Sequence, residues 1–132
     1  MRKRILVIDD DLAIRKSFAL ALEDADCQVD TAESGKEGID KVSNTKMSNT
    51  EYDLIFLDLK MPGINGVETL IRLRDGGYKM PIYIVTAFHE EFMDQLRVAA
   101  EEDYEFEVMR KPIESQDLVR VTQAILEGAG AY

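Results

Sequence analysis

The chain has 132 residues, with 16 Lys and Arg against 26 Asp and Glu, and a formal charge of −10. A chain of this length folds as one domain and buries roughly two-thirds of its unfolded surface. Its acidity argues against direct nucleic-acid contact, which rests on neutralising phosphates. No apolar run approaches the ~20 residues of a bilayer span, so membrane insertion is excluded as a reading. Met1-Arg2-Lys3-Arg4 leads into too short an apolar stretch for a secretory leader. The single cysteine, Cys27, excludes an internal disulfide and fits a reducing cytoplasm.

Strands are expected at about 4–9, 27–32, 53–57, 81–86 and 106–110, each followed by a helical pattern. Ile5-Leu6-Val7-Ile8 is continuously apolar and runs into Asp9-Asp10-Asp11. Asp11 then reads as the N-cap of a helix carrying Ile14, Phe18, Ala21, Leu22 and Ala25. Cys27 to Thr31 alternates, as an edge strand does. Ser34 and Glu37 form a capping-box pair for a second helix centred on Ile39 and Val42. The polar triplets Ser43-Asn44-Thr45 and Ser48-Asn49-Thr50 are expected in a loop. Leu54-Ile55-Phe56-Leu57 ends in Asp58, and Gly66 with Val67 to Ile71 opens a third helix.

Ile82-Tyr83-Ile84-Val85 delivers Thr86, and an acidic fourth helix spans about His89 to Glu101. Glu101 to Glu105 reads as a solvated acidic segment. Phe106-Glu107-Val108-Met109, a second edge strand by its charge, is followed by Arg110-Lys111-Pro112. Leu118, Val121, Thr122, Ile125 and Leu126 mark the last helix, which is expected to fray at Gly128-Ala129-Gly130-Ala131.

This alternation implies an α/β fold, with a parallel sheet, right-handed crossovers and helices on both faces. Ligands of such sheets bind beyond the carboxyl ends of the strands. Three carboxylates, a hydroxyl and an ammonium converge there: Asp9, Asp10 and Asp58, with Thr86 and Lys111. Two carboxylates about 5 Å apart at an effective dielectric near 20 repel by roughly 3 kcal/mol, so the cluster calls for a cation. All-oxygen ligands suit Mg²⁺. His89 is the sole histidine and reads as a surface residue rather than a ligand. Taken singly, Thr86 is an ordinary strand-end hydroxyl and Lys111 a surface lysine; in register on four strand ends they make one site.

These residues carry a resemblance. Ile5 to Asp11 followed by Arg15, Tyr52 to Gly63 with Gly66, Val85-Thr86-Ala87 and Lys111-Pro112 closely resemble the receiver domain of two-component response regulators, over nearly the whole chain. The resemblance implies a (βα)5 flavodoxin-like doubly wound sheet of strand order 2-1-3-4-5. It implies one receiver domain over 1–132, with its core at about 4–128 and no effector domain. By the same resemblance Asp58 takes a phosphoryl group from a sensor histidine kinase or a histidine phosphotransfer protein. Asp10, Asp58 and the backbone carbonyl of Lys60 hold Mg²⁺, and Asp9 acts through water. Thr86 and Lys111 contact phosphoryl oxygens, and the Lys111–Pro112 bond is cis. The kinase would dock on the first-helix face near Arg15, Ser17 and Phe18 and on the loop around Ile113. A downstream target protein and a monomer or phosphorylation-dependent dimer complete the implied partners.

The chain also departs from the common pattern. The aromatic residue expected three positions before Lys111 is Val108, with Tyr104 and Phe106 out of register. Asp58-Leu59-Lys60 with Thr86-Ala87-Phe88 is similar to the stand-alone receiver of the sporulation phosphorelay, which favours a slowly hydrolysing phosphoryl group and a shuttle role. A receiver fragment of a larger transcriptional regulator has the same sequence signature. A Mg²⁺-dependent phosphohydrolase of the haloacid-dehalogenase type needs an Asp where Lys60 stands. A flavodoxin-like electron carrier needs a phosphate cradle where Asp9, Asp10 and Asp11 would repel.

Overall fold

The computed structural model describes residues 2–48, 50–87 and 90–130, without the side chains of 129 and 130. Five strands alternate with five helices: β1 Arg4–Ile8, α1 Leu12–Asp24, β2 Gln28–Ala32, α2 Gly35–Ser48, β3 Leu54–Asp58, α3 Gly66–Asp75, β4 Ile82–Thr86, α4 Glu90–Glu101, β5 Glu107–Arg110 and α5 Ser115–Gly130. The strands pair in parallel in the order β2-β1-β3-β4-β5. This is the doubly wound α/β fold expected, with the alternating and the charged strands at the edges. Among the described residues no helix is long and apolar enough to cross a membrane.

The continuous apolar runs follow from two-sided burial. Leu6, Ile8, Ile55 and Leu57 face a layer with Val42 of α2, Leu70 and Leu73 of α3 and Leu96 of α4. Ile5, Val7, Leu54 and Phe56 face the other layer, against Phe18 and Leu22 of α1 and Leu118 of α5. Phe18 meets Phe56 edge to face at 5.8 Å. That contact takes Phe18 off the surface and corrects its expected place on a docking face.

Register brings the strand ends level. Ile8 lies opposite Leu57, Asp58 opposite Val85, and Thr86 opposite Arg110. The residues that follow, Asp9 and Lys111, therefore emerge beside Asp58 and Thr86.

A local expectation is corrected. Ser43-Asn44-Thr45 is not a loop, because α2 runs to Ser48. Val42 and Thr45 are buried, and the Thr45 and Ser48 hydroxyls donate to the carbonyls of Val42 (2.6 Å) and Thr45 (3.3 Å). Burial and this back-bonding outweigh the turn preference of the polar residues. The second triplet has Ser48 in the helix and Thr50 beyond it, and Asn49 lies outside the described residues. α5 is helical through Gly130, within the stretch expected to fray. Glycine weakens a helix by about 1 kcal/mol without forbidding it.

Helix starts were half legible. The Ser34 hydroxyl accepts from the Glu37 N–H at 3.1 Å, but the Glu37 carboxylate reaches the Glu33 N–H instead of closing the box. The reciprocal capping box belongs to α3, where Asn65 Oδ1 accepts from the Glu68 N–H and Glu68 Oε1 accepts from the Asn65 N–H.

Gly66 opens α3 directly on the backbone of the strand end. A Cβ there would stand 2.4 Å from the Asp58 carbonyl oxygen and 2.8 Å from Leu59 Cα. Its N–H donates to the Leu59 carbonyl at 2.8 Å. Gly66→Ala is expected to lower stability by at least about 2 kcal/mol in urea unfolding, since backbone cannot yield as a side chain does. Gly128→Ala, with open space around its α-carbon, is expected to raise stability by about 0.5 kcal/mol in the same assay.

Candidate functional site

The carboxylates of Asp9, Asp10 and Asp58 converge, each with an oxygen within 4.8 Å of the others. Asp9 and Asp58 are buried and Asp10 is exposed, so the cluster opens to solvent on one side. Lys111 bridges the buried pair, its Nζ 3.1 Å from Asp9 Oδ2 and 3.0 Å from Asp58 Oδ1. The Lys111–Pro112 bond is cis, as the resemblance implied. The Lys111 N–H donates to the Thr86 carbonyl at 2.8 Å, which ties the buried Thr86 to the same corner.

Asp9 is held from every side. Its Oδ1 accepts from the Asp11 N–H at 2.9 Å, and its carbonyl accepts from Arg15 Nη1 at 2.8 Å. Asp11 in turn caps α1, accepting from the Ala13 and Ile14 N–H groups, as expected of it. The acidic triplet thus divides its work: Asp11 starts the helix, Asp9 is an anchored acceptor, and Asp10 points to solvent. Arg15, part of the sequence motif, has a supporting role that the motif did not reveal. Its signal is its position one turn into the helix that Asp11 starts.

The electrostatics show a site short of positive charge. Burial, then the neighbouring Asp9 charge, push the Asp58 carboxyl up to about 6, although Lys111 pulls the other way and Asp10 adds to the rise. Burial alone would lower the Lys111 ammonium. Its hydrogen bonds and charge contacts with Asp58 and Asp9 outweigh that and leave it above its ordinary value. Three carboxylates against one ammonium leave two negative charges, which one divalent ion would balance. The donors are all hard oxygens, and Asp10 is exposed at the open side. The residues present fit Mg²⁺.

Of the residues expected at the site, Asp9, Asp10, Asp58 and Lys111 are brought together by contact, and Thr86 by register. Lys60 follows in the turn after β3 by chain adjacency, its side chain in solvent and its Nζ 3.3 Å from Glu91 Oε1. Phe88 and His89 lie outside the described residues.

Residues 5–123 match the response regulator receiver domain family. The chain belongs to that family. Among its curated relatives, the transcriptional regulatory protein ResD of Bacillus subtilis is 35% identical over 96% of this chain and 49% of its own length. Response regulator MprA of a Mycobacterium species is 32% identical over 96% of this chain and 51% of its own. The chain therefore spans about half the length of these relatives. The CheY-like receiver domain protein of Methanospirillum hungatei has the same fold, with a TM-score of 0.78 and 27% identity over 98% of both chains. A receiver domain protein from Clostridium thermocellum gives 0.77 and 27% over 97% of both. Receivers of two-component systems are signalling phosphoacceptors, not turnover enzymes, and bind Mg²⁺ in such an acidic pocket.

In this receiver Val108 lies opposite Ile84 on β5 and is 40% exposed. Tyr104 and Phe106 pack on the α3 and α4 layer, and the Tyr104 hydroxyl donates to Asp75 at 2.9 Å. Neither takes the place an inward-turning aromatic would need.

The raised Asp58 value has a stability consequence with a definite sign. The folded state favours the protonated carboxyl, so this contribution is fully present below the ordinary value of 3.8 and is lost as pH rises through about 6. Metal-free Asp58→Asn is expected to match the parent near pH 4. Above pH 7 it should exceed the parent by about 1–2 kcal/mol, after discounting for water at the open side. Urea unfolding across that pH range in chelator measures the difference.

Proposed function

We propose that Asp58 is the phosphoacceptor of this receiver, that Thr86 and Lys111 hold the incoming group, and that the chain assists its own phosphorylation. The observation that carries this reading is Lys111 Nζ lying between Asp58 and Asp9 at the open acidic end of the sheet. An Asp58 carboxylate oxygen attacks the phosphorus of a phosphohistidine. A P–O bond forms, the P–N bond breaks, and the histidine nitrogen leaves with the electron pair. Lys111 moves its hydrogen bonds from carboxylate to a phosphoryl oxygen, and the Thr86 hydroxyl donates to another. Such transfer needs positioning and charge stabilisation more than covalent help from the protein.

Asp10, Asp58 and the Lys60 carbonyl would hold Mg²⁺ directly, and the ion would supply positive charge for the phosphoryl oxygens. Asp9 would act through water, because Asp11 and Lys111 already engage both of its oxygens. A sensor histidine kinase or histidine phosphotransfer protein would supply the group in the cytoplasm. Ser17 with the exposed Leu12 and Leu20 of α1, and the loop around Ile113, would form its docking face, with Phe18 excluded by its burial. A dehalogenase-type phosphohydrolase lacks its acid, since an ammonium held by Glu91 stands at residue 60.

Two outputs share this chemistry. Lys60 and Val108 favour onward transfer to a phosphotransfer histidine. The names of the curated relatives favour control of transcription, through a protein target or a further segment, because a chain of charge −10 is itself ill suited to DNA.

Intact-mass spectrometry with a small-molecule phosphodonor and Mg²⁺ is expected to show one added phosphoryl group. Asp58→Asn should show none, and excess chelator should abolish the adduct; phosphorylation at full rate in chelator would overturn the metal assignment. Lys60→Asn is expected to shorten the adduct's lifetime several-fold by opening the path to water.

A further inference from the structure

The same face of α4 grips the β3–α3 loop twice. Glu91 takes the Lys60 ammonium at 3.3 Å, and one turn on, Gln95 Oε1 accepts from Asn65 Nδ2 at 3.1 Å. Residues four apart on a helix lie one above the other, so the two contacts form a single seam. Asn65 is buried and is also the N-cap of α3, which fixes the inner end of that seam. The outer end is an ion pair whose side chains are 57% and 58% exposed. It joins the turn after Asp58 to the first turn of the helix after Thr86, and β3 and β4, which end in those two residues, are neighbours in the sheet. Glu91 is itself well placed there, since a carboxylate in a helix's first turn is favoured by the dipole.

Resting on the phosphoacceptor reading, we propose that Glu91 is a positioning residue that sets the lifetime of the acyl phosphate by holding Lys60 across the mouth of the site. Hydrolysis requires a water oxygen to attack phosphorus opposite the Asp58 oxygen. The P–O bond to Asp58 breaks, the carboxylate leaves, and inorganic phosphate and a proton are released. The attacking water must come from the open side, since the opposite side is the strand end. A lysine stem stretched to Glu91 obstructs that approach. A lysine released from Glu91 clears it and can swing its charge toward the phosphoryl oxygens. Both effects of losing Glu91 speed hydrolysis. An exposed ion pair contributes no more than about 1 kcal/mol, so the change in rate is bounded at roughly fivefold.

The experiment follows decay of the phosphorylated full chain by intact mass after the donor is removed. Glu91→Gln is expected to shorten the lifetime two- to fivefold. It should have no further effect in a Lys60→Met background, because Glu91 acts only through Lys60. High salt is expected to bring the parent toward the Glu91→Gln rate, as the Debye length falls to about 3 Å at 1 M. Glu101→Gln removes a comparable ion pair with Arg97 at the other end of α4 and is expected to leave the lifetime unchanged, which separates gating from helix stability. An unchanged lifetime in Glu91→Gln, or equal acceleration with and without Lys60, would overturn the proposal while leaving the phosphoacceptor reading intact. Failure of the parent to form any adduct would overturn both.

Discussion

Asp9 and Asp58 stand at the ends of neighbouring parallel strands, where burial and mutual repulsion both oppose their charges. Lys111, 3.1 and 3.0 Å from them, makes the arrangement tolerable. The tolerance is incomplete, and the raised Asp58 value records what remains. That remainder is useful. A pocket with two uncompensated negative charges suits a divalent ion. A better-neutralised site would make a more stable fold.

The rest of the fold holds this conflict in place. β1 and β3 are buried on both faces, so their ends cannot move apart without exposing core. Asp9 is clamped by Asp11, Arg15 and Lys111, and α3 begins with a glycine because its first turn lies against the Asp58 carbonyl. The exposed side is built differently. Asp10, Lys60 and Glu91 are solvated. Rigidity on the strand side and looseness on the loop side follow from burial alone.

With Val108 half in solvent, signal transmission through an inward-turning aromatic has no residue to carry it on β5. Among the described residues, α4 is joined to the β3–α3 loop by Lys60 with Glu91 and Asn65 with Gln95.

Much of the molecule was legible in its sequence, because parallel strands buried on both faces leave continuous apolar runs and their carboxyl ends must share an edge. Asp9, Asp10, Asp58, Thr86 and Lys111 could be assigned to one site from that logic, and Asp11 to a helix cap. Where polar residues were read as turns, as at Ser43 to Thr45, burial of Val42 and Thr45 prevailed, and local composition carries no record of it. The Lys111 bridge, the Arg15 clamp, the Asn65–Gln95 bond and the Lys60–Glu91 pair were likewise not readable. Sequence determined which chemistry ends each strand, since that follows from period and residue type. Tertiary structure decided which of those groups touch, because partners such as Asn65 and Gln95, 30 residues apart, or Asp9 and Lys111, 102 apart, meet only when the sheet and its helices set their distance.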